Sequence, residues 1–113
     1  MRDLLVVGGG PAGLSAAIEA ARLGLETEVL EEHDEVGIPE HCAGLVSLSG
    51  LREILGTGAP IISEIKGFRV YSPSGKAYTV KGGMGKAAVI DRPAFERELL
   101  RRAEAIGVTV TFG

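Results

Sequence analysis

Three glycines near the N-terminus have the spacing of a phosphate-binding turn. Gly8, Gly10 and Gly13 form the pattern G-x-G-x-x-G within LLVVGGGPAGLSAA. In this pattern the first glycine permits a tight turn and the second lets the backbone approach phosphates. The third lets the next helix pack closely on the preceding strand. Free N–H groups at the positive end of that helix then hold the anion, so the spacing predicts binding of a dinucleotide pyrophosphate.

A carboxylate follows at the distance that the ribose of a dinucleotide requires. Glu31 lies 18 residues beyond Gly13, at the expected end of a second strand. An acidic side chain there accepts hydrogen bonds from ribose hydroxyls. Glu32 is a second candidate, and the position of the strand end decides between them; we favour Glu31. Because a carboxylate disfavours a 2′-phosphate, the pattern favours a flavin or nicotinamide dinucleotide and makes NADP an unexpected ligand.

The elements that must position these residues are a strand, a helix and a second strand. Residues 4–7 are an apolar run that suits a buried parallel strand, and residues 27–31 predict the second strand. Gly24 is placed to end the helix between them. The apolar face of that helix is predicted to consist of Leu14, Ala17, Ile18 and Ala21. This context supports the glycine motif in a chain with 17 glycines, against the alternative that the glycines only turn the chain.

Residues 32–90 are predicted to form an excursion inserted within this unit. Its elements, in chain order, are a loop at 33–47, a helix at 48–55, a hairpin of strands 65–71 and 77–80, and a strand at 87–90. The hairpin prediction depends on the turn Ser72-Pro73-Ser74-Gly75 between two β-rich runs.

The last part of the chain predicts a helix and a final strand. Phe95, Leu99, Ala103 and Ile106 have the spacing of one buried helix face, and the charged residues between them, Glu96 included, predict a solvated face. The right-handed crossover rule places the strand at 108–112 beside the second strand, which gives the order third, second, first. The prediction is therefore an α/β fold with a Rossmann-like parallel sheet of the FAD/NAD(P)-binding, three-layer ββα type, incomplete and interrupted by the hairpin excursion.

Composition restricts the classes of function. The chain has 113 residues, 45% of them hydrophobic, and a net charge of −3 with scattered signs, so nucleic acid is not an expected partner. Cys42 stands alone, which excludes an internal disulfide and a cysteine-based zinc site, and no metal site is predicted. Without an apolar run of membrane-spanning length or a signal-peptide layout, the expected location is the cytoplasm.

The length suggests that the sheet is not complete. A doubly wound dinucleotide domain usually has two mononucleotide-binding halves, and residues 1–113 supply about one. We expect a partial domain, whether as a piece of a longer protein, a split gene product or a miniature relative. The first strand then lacks an outer neighbour, which favours pairing with a second chain or self-association.

Three segments together resemble one group of flavoproteins. LLVVGGGPAGLSAA, EVLEEHDEVGIPEHCAGLVS and VIDRPAFERELLRRAEAIGVTV resemble the FAD-binding part of the geranylgeranyl reductases, which have the aromatic-hydroxylase type of glutathione-reductase-like fold. VGIPEHCAG is the most discriminating stretch. The resemblance covers nearly the whole chain and about the N-terminal third of a typical member. It implies FAD as cofactor, with NAD less expected, an isoprenoid substrate in a complete enzyme, and a location that is cytoplasmic or peripheral to a membrane.

The resemblance also assigns roles to single residues. The residues implied to contact the dinucleotide are Gly8, Gly10, Pro11, Ala12 and Gly13 at the pyrophosphate, Glu31 at the adenosine ribose, Cys42, Ala43 and Gly44 near the flavin, and Arg92 at the phosphates or the ribityl chain. Hydride transfer from reduced flavin would be the reaction. His41 and Cys42 are the candidates for a direct catalytic role, and the alternatives are a surface-loop histidine and a small hydrophobic cysteine.

Two other functions remain open at this point. An aromatic-ring monooxygenase has the same fold and the same glycine motif, although VGIPEHCAG favours the reductase. A non-catalytic dinucleotide-binding fragment that needs a partner chain is the second alternative. The later Ala-Asp-Gly or Gly-Asp segment and the C-terminal substrate region of such enzymes do not occur in these residues, so catalytic competence of the chain alone is not expected.

Overall fold

The computed structural model describes residues 1–40, 42–82 and 86–113. They form two compact units, Met1–His41 with Arg92–Gly113, and Cys42–Asp91. The elements are β1 Leu4–Val7, α1 Pro11–Arg22, β2 Thr27–Glu31, β3 Leu45–Ser47, α2 Leu48–Leu55, β4 Ile61–Ile65, β5 Gly67–Tyr71, β6 Ala77–Lys81, β7 Ala87–Ile90, α3 Arg92–Ala105 and β8 Thr109–Phe112. Among the described residues, no helix has the length and apolar character needed to cross a membrane.

The first unit contains a three-stranded parallel sheet in the order β1-β2-β8. Leu4 to Val7 pair with Thr27 to Leu30, and Glu28 to Glu31 pair with Thr109 to Phe112. The predicted order of third, second and first strand is therefore confirmed. In the part of the chain that the structure describes, no strand pairs with the outer edge of β1.

Helices α1 and α3 contact each other, and α1 also contacts β1 and β2. Of the predicted face of α1, Leu14, Ala17 and Ile18 are buried, whereas Ala21 is half-buried and Ala20 is buried. The buried surface of α1 is wider than one stripe because the helix packs against both the sheet and α3.

The prediction that Ile106 belongs to the buried face of α3 is wrong. Helix α3 ends at Ala105, and Ile106 is 44% exposed. Gly107 adopts a φ of +97°, and the Val108 N–H donates to the Ala103 carbonyl, so that buried Val108 follows the helix. The expected solvated position of Glu96 is also wrong, since only 9% of this residue is exposed.

The second unit contains a three-stranded antiparallel sheet, β3-β7-β4, and the separate β5-β6 hairpin. Its core includes Leu48, Leu51 and Leu55 of α2 with Ala88 and Ile90 of β7. The helix, the hairpin and the 87–90 strand are confirmed. However, β3 lies in the predicted loop, and the predicted strand 65–71 is divided at Lys66 into the end of β4 and β5. A three-residue strand such as β3 is too short to show an alternating pattern.

Candidate dinucleotide site

The glycine turn connects the end of β1 to the start of α1. Gly8 has a φ of +106°, which favours glycine, and its N–H donates to the Leu30 carbonyl at 2.7 Å. A Cβ at Gly13 would lie 1.9 Å from the Gly8 carbonyl oxygen. A Cβ at Gly10 would meet no described atom within 4 Å. The turn therefore requires a glycine at position 13 for its own packing, whereas Gly10 faces open space.

The first turn of α1 presents backbone N–H groups beside that open space. Gly10 is the N-cap residue in an extended conformation, with φ −79° and ψ −175°, and it has no side chain with which to cap the helix. Pro11 follows at the first helical position, and the Leu14 N–H donates to the Gly10 carbonyl at 2.9 Å. The N–H groups of Ala12 and Gly13 belong to the turn that has no intrahelical acceptor. This helix end suits an anion.

A cavity of about 440 Å³ lies at this end of the sheet. Its lining consists of residues 7–10, 30–33 and 35–39 together with Glu96. The cavity thus brings together Gly8, Gly10, Glu31 and Glu32 of the predicted site. Pro11, Ala12 and Gly13 are not part of its lining and start the adjoining helix.

Glu31 is held in one orientation at the end of β2. Its Oε2 accepts a hydrogen bond from the Gly9 N–H at 2.6 Å, and its Oε1 accepts one from the His33 N–H at 3.0 Å. The Nδ1 atom of His33 lies 2.7 Å from the same Oε1. Only 10% of the Glu31 side chain is exposed. The carboxylate therefore connects the end of β2 directly to the glycine turn.

These contacts keep Glu31 ionised at neutral pH. The hydrogen bond from the His33 backbone is the largest cause that lowers the pKa of Glu31, and burial opposes it. The Gly9 N–H and the His33 ring lower this pKa further. An ionised carboxylate has about four acceptor sites, and these contacts occupy two at Oε1 and one at Oε2. Glu31 can therefore still accept a hydrogen bond at Oε2 from a hydroxyl group in the cavity.

The structure adds residues to the site that sequence reasoning missed. His33, which follows β2, lies against Glu31 and lines the cavity. Gly37 also lines the cavity, and a Cβ there would lie 2.7 Å from the Pro93 Cα, so the loop packs on the start of α3. The signal for Gly37 in the sequence was the stretch VGIPEHCAG, of which Gly37 is the first glycine and has a φ of +79°. Contact between distant segments is not visible in local sequence.

Arg92 lies next to a cavity-lining residue. Its Nη2 donates to Glu96 Oε1 at 3.0 Å, and the two side chains are 21% and 12% exposed. Glu96 lines the cavity, whereas Arg92 does not. The structure therefore brings Arg92 to the neighbourhood of the cavity through a carboxylate, and its contact with cofactor phosphates stays a prediction.

The other predicted residues belong to the second unit or lie outside the described residues. Cys42 is exposed, and its Sγ accepts a hydrogen bond from the Gly44 N–H at 3.4 Å. Ala43 is exposed, while Gly44 is buried at a φ of +79°. A role for these residues near a flavin stays a prediction, and His41 lies outside the described residues. Among those that are described, no group of three or more His, Cys, Asp or Glu side chains could hold a metal ion.

Several proteins align in sequence with nearly the whole chain. Residues 3–54 match the family model described as FAD dependent oxidoreductase. The chain is 38% identical to a digeranylgeranylglycerophospholipid reductase of Thermoplasma acidophilum, over 96% of this chain and 29% of the relative. It is 37% identical to digeranylgeranylglycerophospholipid reductase 2 of Methanopyrus kandleri, over 96% of this chain and 27% of the relative. The chain thus spans less than a third of the length of these relatives.

Solved structures have the same fold. A geranylgeranyl bacteriochlorophyll reductase-like protein of Thermoplasma acidophilum superposes with a TM-score of 0.87 and 35% identity, over 98% of this chain and 30% of that one. A myxobacterial FAD-dependent chondrochloren halogenase gives a TM-score of 0.70 at 26% identity, over 98% and 28% of the two chains. A p-nitrophenol 4-monooxygenase of Pseudomonas putida, at 16% identity and a TM-score of 0.76, has the fold in common. The Rossmann-like α/β prediction and the family resemblance are confirmed.

Proposed function

We propose that this chain, which is similar to part of the geranylgeranyl reductases, is the FAD-binding portion of such an enzyme. The complete enzyme would reduce double bonds of a polyprenyl lipid. The observation that carries the proposal is the Glu31 carboxylate, held 2.6 Å from the Gly9 nitrogen beside the open start of α1. The proposal is supported because Glu31 and the glycine turn line the same cavity.

The residues of the cavity fit the ADP half of FAD. The N–H groups at the start of α1 suit the negative pyrophosphate, and the open space over Gly10 permits its approach. The ionised Glu31 suits the ribose hydroxyls and disfavours a 2′-phosphate, which supports FAD over NADP. Because Gly9 and His33 fix the carboxylate, little ordering of this side chain would accompany binding. Bound FAD would supply the hydride chemistry, and this part of the chain would hold and orient it.

The test is a titration of the 113-residue chain with FAD, followed by flavin fluorescence. Gly10→Val places a branched side chain in the space over the helix start, and we expect it to weaken FAD binding at least about a hundredfold. Ala16→Val is the matched control, because Ala16 is exposed on the same helix and does not line the cavity. Equal FAD affinity in the wild type and Gly10→Val, or no FAD binding by a folded wild type, would contradict the proposal.

The monooxygenase alternative has less support. The curated relatives at 37–38% identity are named reductases, whereas the solved structures of oxygenases match at lower identity, 16% to 26%. An activity assay of a full-length relative, with an isoprenoid lipid and separately with a phenol as substrate, distinguishes the two reactions. Turnover of the phenol alone would favour the monooxygenase.

The outer edge of β1 supports a second candidate, a nucleotide-binding fragment that is completed by another strand. Leu5 and Val7 on β1 are 53% and 83% exposed, and no described strand pairs with their outer edge. Exposed edges of this kind pair with a further strand, from a second copy or another chain. Light scattering of the purified chain tests self-association: a dimer that Val7→Lys dissociates supports it, and a stable monomer contradicts it.

A further inference from the structure

Glu96 places a carboxylate in the wall of the candidate cavity. Among the described residues, the carboxylates that line this cavity are those of Glu31, Glu32, Glu35 and Glu96. Glu32 and Glu35 are exposed, so water weakens the effect of their charges, whereas only 9% of Glu96 is exposed. A charged side chain that is buried to this extent needs a partner of opposite charge within the protein.

A loop packs against this carboxylate. Gly37 has a φ of +79°, and a Cβ there would lie 3.1 Å from Glu96 Oε2 and 2.7 Å from the Pro93 Cα. The backbone at Gly37 therefore lies directly on the Glu96 side chain and on the first turn of α3. Because this contact replaces water beside the carboxylate, the charge of Glu96 would be costly if nothing compensated it.

Arg92 supplies the compensating charge. Its Nη2 donates to Glu96 Oε1 at 3.0 Å, and only 21% of its side chain is exposed. Helix preferences do not account for a cation here, because Arg92 is the first residue of α3, where the helix dipole disfavours positive charge. An arginine four residues before a glutamate is also the less favourable order for such a pair. The buried charge of Glu96 is the feature that accounts for Arg92.

We propose that Arg92 acts on a bound pyrophosphate through Glu96, as a positioning residue that holds and neutralises this carboxylate, and does not touch the phosphates. The observation that carries the proposal is that Glu96 lines the cavity whereas Arg92 does not. Without the cation, the charge of Glu96 would repel the negative phosphates. The inference rests on the proposed function, because it needs a pyrophosphate in this cavity. The alternative is the direct contact between Arg92 and the phosphates that the sequence resemblance implies.

A double-mutant cycle separates these two roles, with calorimetric titration of the whole 113-residue chain with ADP as the measurement. Arg92→Gln leaves the charge of Glu96 uncompensated and should weaken ADP binding about tenfold. Glu96→Gln removes the repelling charge and should bind ADP at least as tightly as the wild type. The double variant Arg92→Gln, Glu96→Gln has neither charge, and Arg92→Lys keeps a cation. Each of these two should bind ADP within about threefold of the wild type.

The matched control is a second ion pair with the same four-residue spacing on α3. The Nε atom of Arg102 lies 2.9 Å from Glu98 Oε1, and neither residue lines the cavity. Arg102→Gln removes the same charge from the chain and should leave ADP binding within about twofold of the wild type. A tenfold loss in this control would overturn the proposal, because the effect would then come from the net charge of the chain.

The proposal is also overturned if Arg92→Gln binds ADP like the wild type, or if Arg92→Lys or the double variant binds as weakly as Arg92→Gln. Removal of Glu96 would not restore a lost phosphate contact. Circular dichroism checks that each variant is folded. If Arg92→Gln is not, the double variant decides, because a direct contact predicts weak binding there and neutralisation does not. A folded wild type that does not bind ADP contradicts the proposed function itself, whereas a wild type that binds ADP, without recovery in the double variant, contradicts only this role of Arg92.

Discussion

Two glycines of the same turn have different physical duties. Gly13 has no room for a Cβ, which would lie 1.9 Å from a backbone oxygen of Gly8. Gly10 has room, because no described atom lies within 4 Å of its Cβ position. A requirement of the fold therefore explains glycine at position 13. The fold does not require glycine at position 10, and we propose that the approach of a pyrophosphate explains it there.

Substitution of each glycine by alanine distinguishes the packing role of Gly13 from the proposed ligand-binding role of Gly10. Gly13→Ala should lower the free energy of unfolding by about 1–3 kcal/mol, because the rigid backbone at Gly8 must move. Gly10→Ala should lower it by less than about 1 kcal/mol, because alanine fits the open space but is a weaker N-cap residue than glycine. Urea unfolding followed by circular dichroism measures both. Equal losses in the two variants would contradict the assignment.

The carboxylate of Glu31 contributes to stability as well as to the site. Glu31→Gln replaces one of the two acceptor oxygens by an NH₂ group. The single oxygen that remains cannot accept from both the Gly9 N–H and the His33 N–H groups. We expect a loss of about 1.5–3 kcal/mol in the free energy of unfolding at pH 7. Glu32→Gln, at an exposed neighbour, should change it by less than about 0.5 kcal/mol.

The stability difference between the wild type and Glu31→Gln should become smaller as the pH falls. The folded pKa of Glu31 lies below its ordinary value of 4.5. The stabilisation is therefore present above pH 4.5 and is lost as the pH falls through the lower folded pKa. The gap in the free energy of unfolding between wild type and Glu31→Gln should narrow in acid. A gap that stays constant from pH 7 to acid pH would contradict this account.

At the scale of elements, helix α3 shows that sequence periodicity predicts the buried face of a helix but not its end. Phe95, Leu99 and Ala103 are buried, as their spacing predicts. Ile106 continues the same spacing but lies beyond the helix end at Ala105, where Gly107 turns the chain. Sequence periodicity gives the face of a helix, but its end depends on backbone geometry that periodicity does not contain.

Truncation of two α3-region side chains tests this reading. Leu99 is 1% exposed, so Leu99→Ala should cost about 2–5 kcal/mol of the free energy of unfolding. Ile106→Ala removes a side chain of similar size from a position that is 44% exposed, and should cost less than about 1 kcal/mol. Denaturant titration distinguishes the two, and a similar loss at both positions would show that Ile106 is buried after all.

The same helix carries a surface charge cluster. Glu98 accepts hydrogen bonds from Arg101 at 2.7 Å and from Arg102 at 2.9 Å, and these lower its pKa to about 2. Its contribution to stability is small because the pairs are at the surface, and it should be present above pH 4.5 and decrease as the pH falls toward 2. Comparison of Glu98→Gln with the wild type by urea unfolding at pH 7 and pH 2 measures it. A difference at pH 2 that is as large as the difference at pH 7 would contradict the assignment.

At the scale of the whole molecule, the chain order of motifs predicted the sheet but not the side-chain network. The glycine motif, the helix face and the position of Glu31 followed from local spacing, and the crossover rule placed β8 beside β2. The contact of His33 with Glu31 and the packing of Gly37 on Pro93 depend on three-dimensional geometry. The division of β4 from β5 at Lys66 likewise depends on pairing with β7 and β6.

The most direct test of the central claim is calorimetric titration of the chain with ADP and, separately, with FMN. ADP contains the adenosine ribose and both phosphates of FAD, whereas FMN contains the flavin and one of these phosphates. We propose that the cavity lined by Gly10 and Glu31 holds the part that carries the adenosine ribose. We predict that ADP binds, that Gly10→Val abolishes its binding, and that FMN gives no heat of binding. Binding of FMN without ADP, or binding of neither by the folded chain, would contradict the claim that this cavity holds the ADP half of FAD.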